Sequence, residues 1–172
     1  IEGILTVPKN HNGGLVIFVH GSGSSGYSPR NGYLSMILNQ AEIPTLVIDL
    51  LTTSEAEMDN NTKALRFNIE LLTERLLTIT DTMIQNKYTN TFKFGYFGSS
   101  TGTSVAIKAA VRRSDRITTI VSRSGRLDLV DPDSLWNLRS SILLLIGAKD
   151  TPVISSSIES MKKLNKGILK DI

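Results

Sequence analysis

Six short apolar runs rich in β-branched residues punctuate this chain, and helical patterns fill most of the intervals between them. The runs are Ile4 to Val7, Leu15 to His20, Thr45 to Leu50, Phe92 to Phe97, Ile117 to Ser122 and Ile142 to Ile146, and Ile168 to Ile172 reads as the start of a seventh. Runs with so few polar interruptions have no wet face to present, so they predict strands buried on both sides. Alternating with helices, such strands make a mostly parallel sheet in a three-layer α/β/α sandwich. Between the first two runs, Asn12-Gly13-Gly14 is turn chemistry and predicts an antiparallel entry hairpin. The 172 residues match the length of one domain.

The helices carry their own signals. Ser28-Pro29 predicts an N-cap and a first-turn proline opening a helix to about Gln40. Leu65, Ile69, Leu72, Leu76, Ile79 and Met83 step by four and three, which predicts one long helix from about Thr62 to Asn86. A coiled coil would give the same stripe, but within an α/β pattern a helix lying on its sheet fits better. Thr101 to Arg112 and Ser155 to Leu164 predict two more helices, the second closed by Gly167, and the acidic stretch Thr52 to Asn61 reads as a loop.

Composition removes whole classes of chemistry. The chain has no cysteine, which excludes disulfides, thiolate metal sites and a cysteine nucleophile. It has two histidines, too few for a multi-histidine metal site. The net charge is +3 with scattered Lys and Arg, so no nucleic-acid partner is expected. No apolar run approaches the ~18 residues of a membrane span, and no secretory signal pattern opens the chain. A cytoplasmic location without membrane contact is the expectation.

Gly98-Ser99-Ser100-Thr101-Gly102 stands directly between a predicted strand and a predicted helix. This is the G-x-S-x-G pattern of a nucleophile elbow. The serine sits on a strained turn with its hydroxyl clear of the sheet. A side chain two residues to either side would collide across the turn, so positions 98 and 102 favour glycine. The following helix aims its free N–H groups at any negative charge formed there.

The second run leads into His20-Gly21-Ser22-Gly23-Ser24-Ser25-Gly26. A turn of this type supplies one backbone donor of an oxyanion hole, and the residue after the nucleophile supplies the other. The donors here are expected at Ser22 and Thr101, with His20 and Gly21 supporting the loop. The same residues spell a dinucleotide fingerprint, Gly21-x-Gly23-x-x-Gly26, with Asp49 as a ribose binder. Against that alternative, a helix only begins at Ser28-Pro29, whereas the third glycine of the fingerprint lies within one.

Asp150 follows the strand run Ile142 to Ile146, 50 residues after Ser100. It fits the acid of a Ser–Asp–His triad, or else a turn aspartate ahead of Pro152. No histidine occurs after His20, and His11 lies in the predicted hairpin. The base is therefore missing. A chain that begins at Ile1 and stops inside a strand run favours a fragment cut before the base, lacking the last strand and helix, over an inactive relic kept as a binding module.

The stretches His20 to Ser25, Ser28 to Asn31, Phe97 to Gly102 and Val121-Ser122-Arg123-Ser124-Gly125-Arg126 resemble the α/β-hydrolase superfamily, specifically its dienelactone hydrolase-like branch. The resemblance covers nearly the whole chain. It implies a hydrolase that attacks an ester or lactone of a small molecule through an acyl-enzyme, without metal or organic cofactor. It also implies a parent chain that can be fused to a phosphoribosyltransferase domain. The chain departs from dienelactone hydrolases proper in having Ser100 where they have cysteine. Arg30, Arg123 and Arg126 lie near element ends on the site side and are candidates to hold an anionic substrate group, Arg30 and Arg123 first, the alternative being surface arginines paired with Asp128 or Asp131.

Overall fold

The computed structural model describes residues 1–164. Its strands are β1 (Gly3–Thr6), β2 (Gly14–Val19), β3 (Thr45–Ile48), β4 (Lys93–Ser99), β5 (Ile117–Arg123) and β6 (Ser141–Leu145). Its helices are α1 (Pro29–Gln40), α2 (Thr53–Thr62), α3 (Ile69–Gln85), α4 (Thr101–Arg112), α5 (Pro132–Asn137) and α6 (Thr151–Met161). The predicted Gly167 helix stop and the seventh run lie outside the described residues.

All six strands join one open sheet in the order β1-β3-β2-β4-β5-β6. Every neighbouring pair is parallel except β1 with β3. The connection from β2 to β3 runs one way along the sheet, and that from β3 to β4 runs back past β2. Right-handed crossovers then put α1 on one face and α3, α4 and α5 on the other. The result is the expected three-layer α/β arrangement.

Most of the core lies on the α3–α4 face. Leu15, Ile17, Val19, Phe94, Tyr96 and Ile120 from the strands meet Leu72, Leu76, Val105, Ala106 and Ile107 from the helices. Each large side chain removed from water there contributes about 1.5–3 kcal/mol. The Tyr96 hydroxyl is satisfied by Thr80 at 2.7 Å. Phe18, Val47 and Phe97 alternate with these positions and so point to the α1 face, where the Phe18 and Phe97 rings lie 5.1 Å apart. Among the described residues, no helix is long and apolar enough to cross a membrane.

The structure corrects four local expectations. First, β1 and β2 form no hairpin. Both edges of β2 are taken, by β3 and β4, and β1 pairs antiparallel with the far side of β3. The wholly buried β3 gains by lying inside the sheet, while the exposed β1 tolerates an edge. Second, Thr52 to Asn61 is mostly helix α2 rather than loop. The Thr52 side chain accepts from the Glu55 amide and Glu55 returns a bond to the Thr52 amide, a reciprocal capping box.

Third, the long helix does not begin at Thr62. Leu65 falls in a turn organised by buried Asp59, which accepts from the Leu65 amide at 2.7 Å and from Arg66 Nε at 2.5 Å. Helix α3 starts only at Ile69, capped by Asn68. Fourth, α6 begins at Thr151, four residues before the expected Ser155, because Pro152 fits a first helical turn. The short helix α5, capped by Asp131, had a legible Asp-Pro start that the periodicity reading passed over.

Candidate active site

Ser100 sits between the end of β4 and the start of α4, with φ 50° and ψ −125°. That backbone is strained for any residue with a side chain, and the surroundings enforce it. The Ser100 amide donates to the Arg123 carbonyl at 3.1 Å, and the Ser100 carbonyl accepts from the Arg126 and Thr103 amides at 3.1 Å each.

The glycines around it are sterically required. A Cβ on Gly98 would lie 2.7 Å from Thr103 Cα, and one on Gly102 would run into the Val19 and His20 carbonyls. A Cβ on Gly21 would lie 2.8 Å from the Ser99 carbonyl oxygen and 2.9 Å from Ser100 Cβ. The loop after β2 and the elbow therefore touch, which brings His20, Gly21, Ser22, Ser100 and Thr101 together. Gly125 closes the back of the elbow, where any Cβ would meet Ser122 and Thr103.

His20 braces this loop. The Leu50 amide donates to its Nε2 at 3.2 Å, so Nε2 must be the acceptor. The proton then resides on Nδ1, which donates to the Gly21 carbonyl at 3.0 Å. With both nitrogens engaged, the 3.4 Å approach of Nε2 to Asp49 is not an ion pair, and no nitrogen is left for Ser100. His11 stacks on Phe92 at the opposite end of the parallel strands, roughly 20 Å away by strand rise. Neither histidine of the chain is placed to act on Ser100.

Ser22 departs from the simplest expectation. Its amide donates to the Thr101 hydroxyl oxygen at 2.8 Å. The Thr101 amide is a first-turn N–H of α4 and has no intrahelical acceptor. Asp150 precedes α6, half-buried and without a side-chain capping bond. It lies beyond β6, two strands from β4, a lateral distance of roughly 10 Å at the usual strand spacing.

Arg123 ends β5 in register with Ser99. Its Nε is buried and has no hydrogen-bond partner among the described residues. Burial and the nearby Arg30 guanidinium hold Arg123 below the usual arginine range. The alternative surface pairing holds for Arg126, which grips Asp128 at 2.7 and 2.8 Å and so is not free to hold a substrate. Asp131 lies 3.5 Å from Lys108. The sequence did not disclose which of the three candidate arginines would take the carboxylate.

A cavity of about 890 Å³ opens beside the loop. His20 to Ser25 form one wall, Asp49 with Thr52 to Ser54 another, and Ala56, Glu57, Asp59 and Asn60 of α2 a third. Because Thr52 to Asn61 reads as a loop, the sequence did not show this wall as a helix, although Thr52-x-x-Glu55 was the signal for it. Arg75 locks the wall in place, bonding Glu55 at 2.5 and 2.8 Å and the Leu50 carbonyl at 2.7 Å. These bonds hold the Glu55 carboxyl down at about 2.

The dinucleotide alternative fails here. Gly26 precedes α1 instead of lying in it, and a Cβ on Gly26 would strike the Ile48 carbonyl. Its amide donates to Asp49 Oδ1 at 2.5 Å, so the supposed ribose carboxylate is used to fasten the loop. Among the described residues, no group of three or more His, Asp or Glu is placed to hold a metal ion.

No family model matches the chain. Among solved structures it is similar to a dienelactone hydrolase from Anabaena variabilis, with 45% identity and a TM-score of 0.91 over 95% of this chain and 74% of that one. It shares its fold with Est1E from Butyrivibrio proteoclasticus, at 15% identity and a TM-score of 0.74 over 94% of this chain and 79% of that one. It shares it too with an alpha-beta serine hydrolase homologue from Coxiella burnetii, at 15% identity and a TM-score of 0.74 over 98% and 76%. Among curated proteins it is 40% identical over 154 residues to a chain from Mycobacterium tuberculosis named as a phosphoribosyl transferase. That match covers 90% of this chain, which spans about a third of the relative's length, 33%.

Proposed function

Since the chain belongs to the α/β-hydrolase superfamily, in its dienelactone hydrolase-like branch, we propose that its 172 residues form one hydrolase domain that cleaves an ester or lactone of a small molecule with Ser100 as nucleophile. The observation that carries this reading is the Ser100 backbone, held at φ 50° between two glycines where no Cβ fits. Such strain at a strand–helix junction is kept where a hydroxyl must stand clear of the sheet.

In this reading Ser100 Oγ attacks the carbonyl carbon while an imidazole takes its proton. The carbonyl oxygen becomes an oxyanion facing the Ser22 and Thr101 side of the elbow. The intermediate collapses, the alcohol leaves with the imidazolium proton, and water then releases the acyl group by the same path. Asp150 orients the imidazole. Both histidines of the chain are engaged elsewhere, so the base comes from outside these residues, in a longer protein or a partner. Arg30 and Arg123 receive an anionic group of the substrate, because two guanidinium groups lie close together there and, among the described residues, neither pairs with a carboxylate. The cavity beside Ser22 takes the remainder. The similarity to chains named as phosphoribosyl transferases supports fusion to such a domain in the parent protein.

Labelling of the full-length protein with a fluorophosphonate tests the assignment. We expect one adduct on Ser100 and none in Ser100→Ala. Labelling that persists in Ser100→Ala would overturn it. A full-length protein that takes no label would favour a hydrolase fold retained for binding, the reading that the missing imidazole also suggests.

A further inference from the structure

We propose that the side-chain hydroxyl of Thr101 is itself an oxyanion donor, standing between the Ser22 amide and the substrate oxygen. The inference rests on the reading of Ser100 as nucleophile.

The Ser22 amide, which the loop after β2 brings to the elbow, donates to Thr101 Oγ1 at 2.8 Å. A backbone N–H can only donate, so the threonine oxygen is the acceptor and keeps its own proton for another group. No acceptor for that proton is found among the described residues, although Thr101 is only 3% exposed. A buried hydroxyl that accepts without donating is half satisfied. It does not stand at an arbitrary place: Thr101 follows Ser100 directly and opens α4, with its own amide also lacking an intrahelical acceptor. The Thr101 hydroxyl is held by the amide that follows Gly21, and a Cβ on Gly21 would lie 2.9 Å from Ser100 Cβ. One residue therefore offers an N–H and an O–H at the elbow.

The chemistry follows from this placement. As the bond from Ser100 Oγ to the carbonyl carbon forms, the carbonyl π pair moves onto oxygen. That oxyanion accepts from the Thr101 amide and the Thr101 hydroxyl. The Ser22 amide stays on Thr101 Oγ1 and polarises it, since a hydroxyl that accepts one hydrogen bond donates a stronger second. No proton is transferred to the oxyanion. When the carbonyl reforms, the hydroxyl is left as it began. The Ser22 amide bond to Oγ1 holds the side chain in place, so the donor is preset rather than recruited.

An opposite arrangement is chemically distinct. If Thr101 merely occupied the Ser22 amide in the empty site, removing the hydroxyl would free that amide for the substrate and speed the reaction. Thr101→Val and Thr101→Ser therefore decide the matter, assayed in the full-length protein with p-nitrophenyl butyrate. We expect Thr101→Val to lower kcat about 100-fold with KM changed less than about threefold, the loss typical of one oxyanion donor. We expect Thr101→Ser to retain activity within about fivefold. Should the valine variant melt early, Thr101→Ala removes the hydroxyl without the second methyl and gives the same reading. Undiminished or faster turnover in the valine or alanine variant overturns the proposal alone. A wild-type protein no more active than Ser100→Ala overturns the nucleophile assignment, and this proposal with it.

Discussion

The Ser100 amide is bonded to the Arg123 carbonyl at 3.1 Å, so the end of β5 sets the backbone of the candidate nucleophile. The Arg126 amide returns a bond to the Ser100 carbonyl, and the Ser104 hydroxyl in turn donates to the Arg126 carbonyl at 2.5 Å. The segment from Arg123 to Arg126 thus grips the elbow from one side while Gly21 presses it from the other. This clamp offsets a local strain of about 1–3 kcal/mol.

That strain is measurable. Ser100→Gly and Ser100→Ala both remove the hydroxyl, but only glycine is at ease at φ 50°. We expect the glycine variant to be more stable than the alanine variant by about 1 kcal/mol, a Tm difference of about 2–4 °C for a chain of this size. Equal melting temperatures in calorimetry would show that the elbow carries no strain.

The glycines separate into required and free positions. Gly102→Ala drives a Cβ against the carbonyls at the end of β2 and forces α4 back from the sheet. We expect a loss of about 3 kcal/mol and of fluorophosphonate labelling. Gly23→Ala meets nothing within 4 Å, and we expect less than about 0.5 kcal/mol and normal labelling. Denaturant titrations of the two variants side by side check the contrast.

Acid sensitivity should trace in part to Glu55. Arg75 and the Thr52 cap lower its carboxyl from 4.5 to about 2 in the folded protein. A depressed carboxylate contributes stability that is fully present above the unfolded value and is lost as pH falls from about 4.5 through about 2. Glu55→Gln should cost on the order of 1 kcal/mol at pH 7, given the partial exposure of the pair. The gap between wild type and variant should narrow at pH 3. Urea midpoints at both pH values test this, and an unchanged gap would mean that the charge is not its source.

Arg123 should discriminate substrates by charge. With no carboxylate partner among the described residues and Arg30 close by, it favours an anionic group. For Arg123→Gln we expect KM for a carboxylate-bearing ester to rise about tenfold, equivalent to ~1.4 kcal/mol, and KM for a neutral ester of the same length to change less than twofold. Parallel increases for both esters would reduce Arg123 to a structural role.

Much of this molecule was legible locally. The six strands lie where the β-branched runs placed them, and α1 and α4 start where Ser28-Pro29 and the elbow predicted. The glycines at positions 98 and 102 have the steric role their pattern implied. Misreadings arose where two local signals competed. The stripe through Leu65 had the right spacing, yet Asp59 drew that segment into a turn, and the capping box at Thr52 built a helix from residues too polar to show periodicity.

The sequence by itself determined the strands, the elbow and the two loops that meet at it, because each depends on residues only a few positions apart. Tertiary structure alone decided the rest. It placed β1 on β3 because both edges of β2 were already filled. It set the His20 tautomer through the Leu50 amide, 30 residues away. It gave the Ser22 amide to Thr101, 79 residues away, and buried the Arg123 Nε with no partner among the described residues. These outcomes turn on which donors and charges packing brings within about 3 Å of one another, and separation along the chain carries no record of that distance.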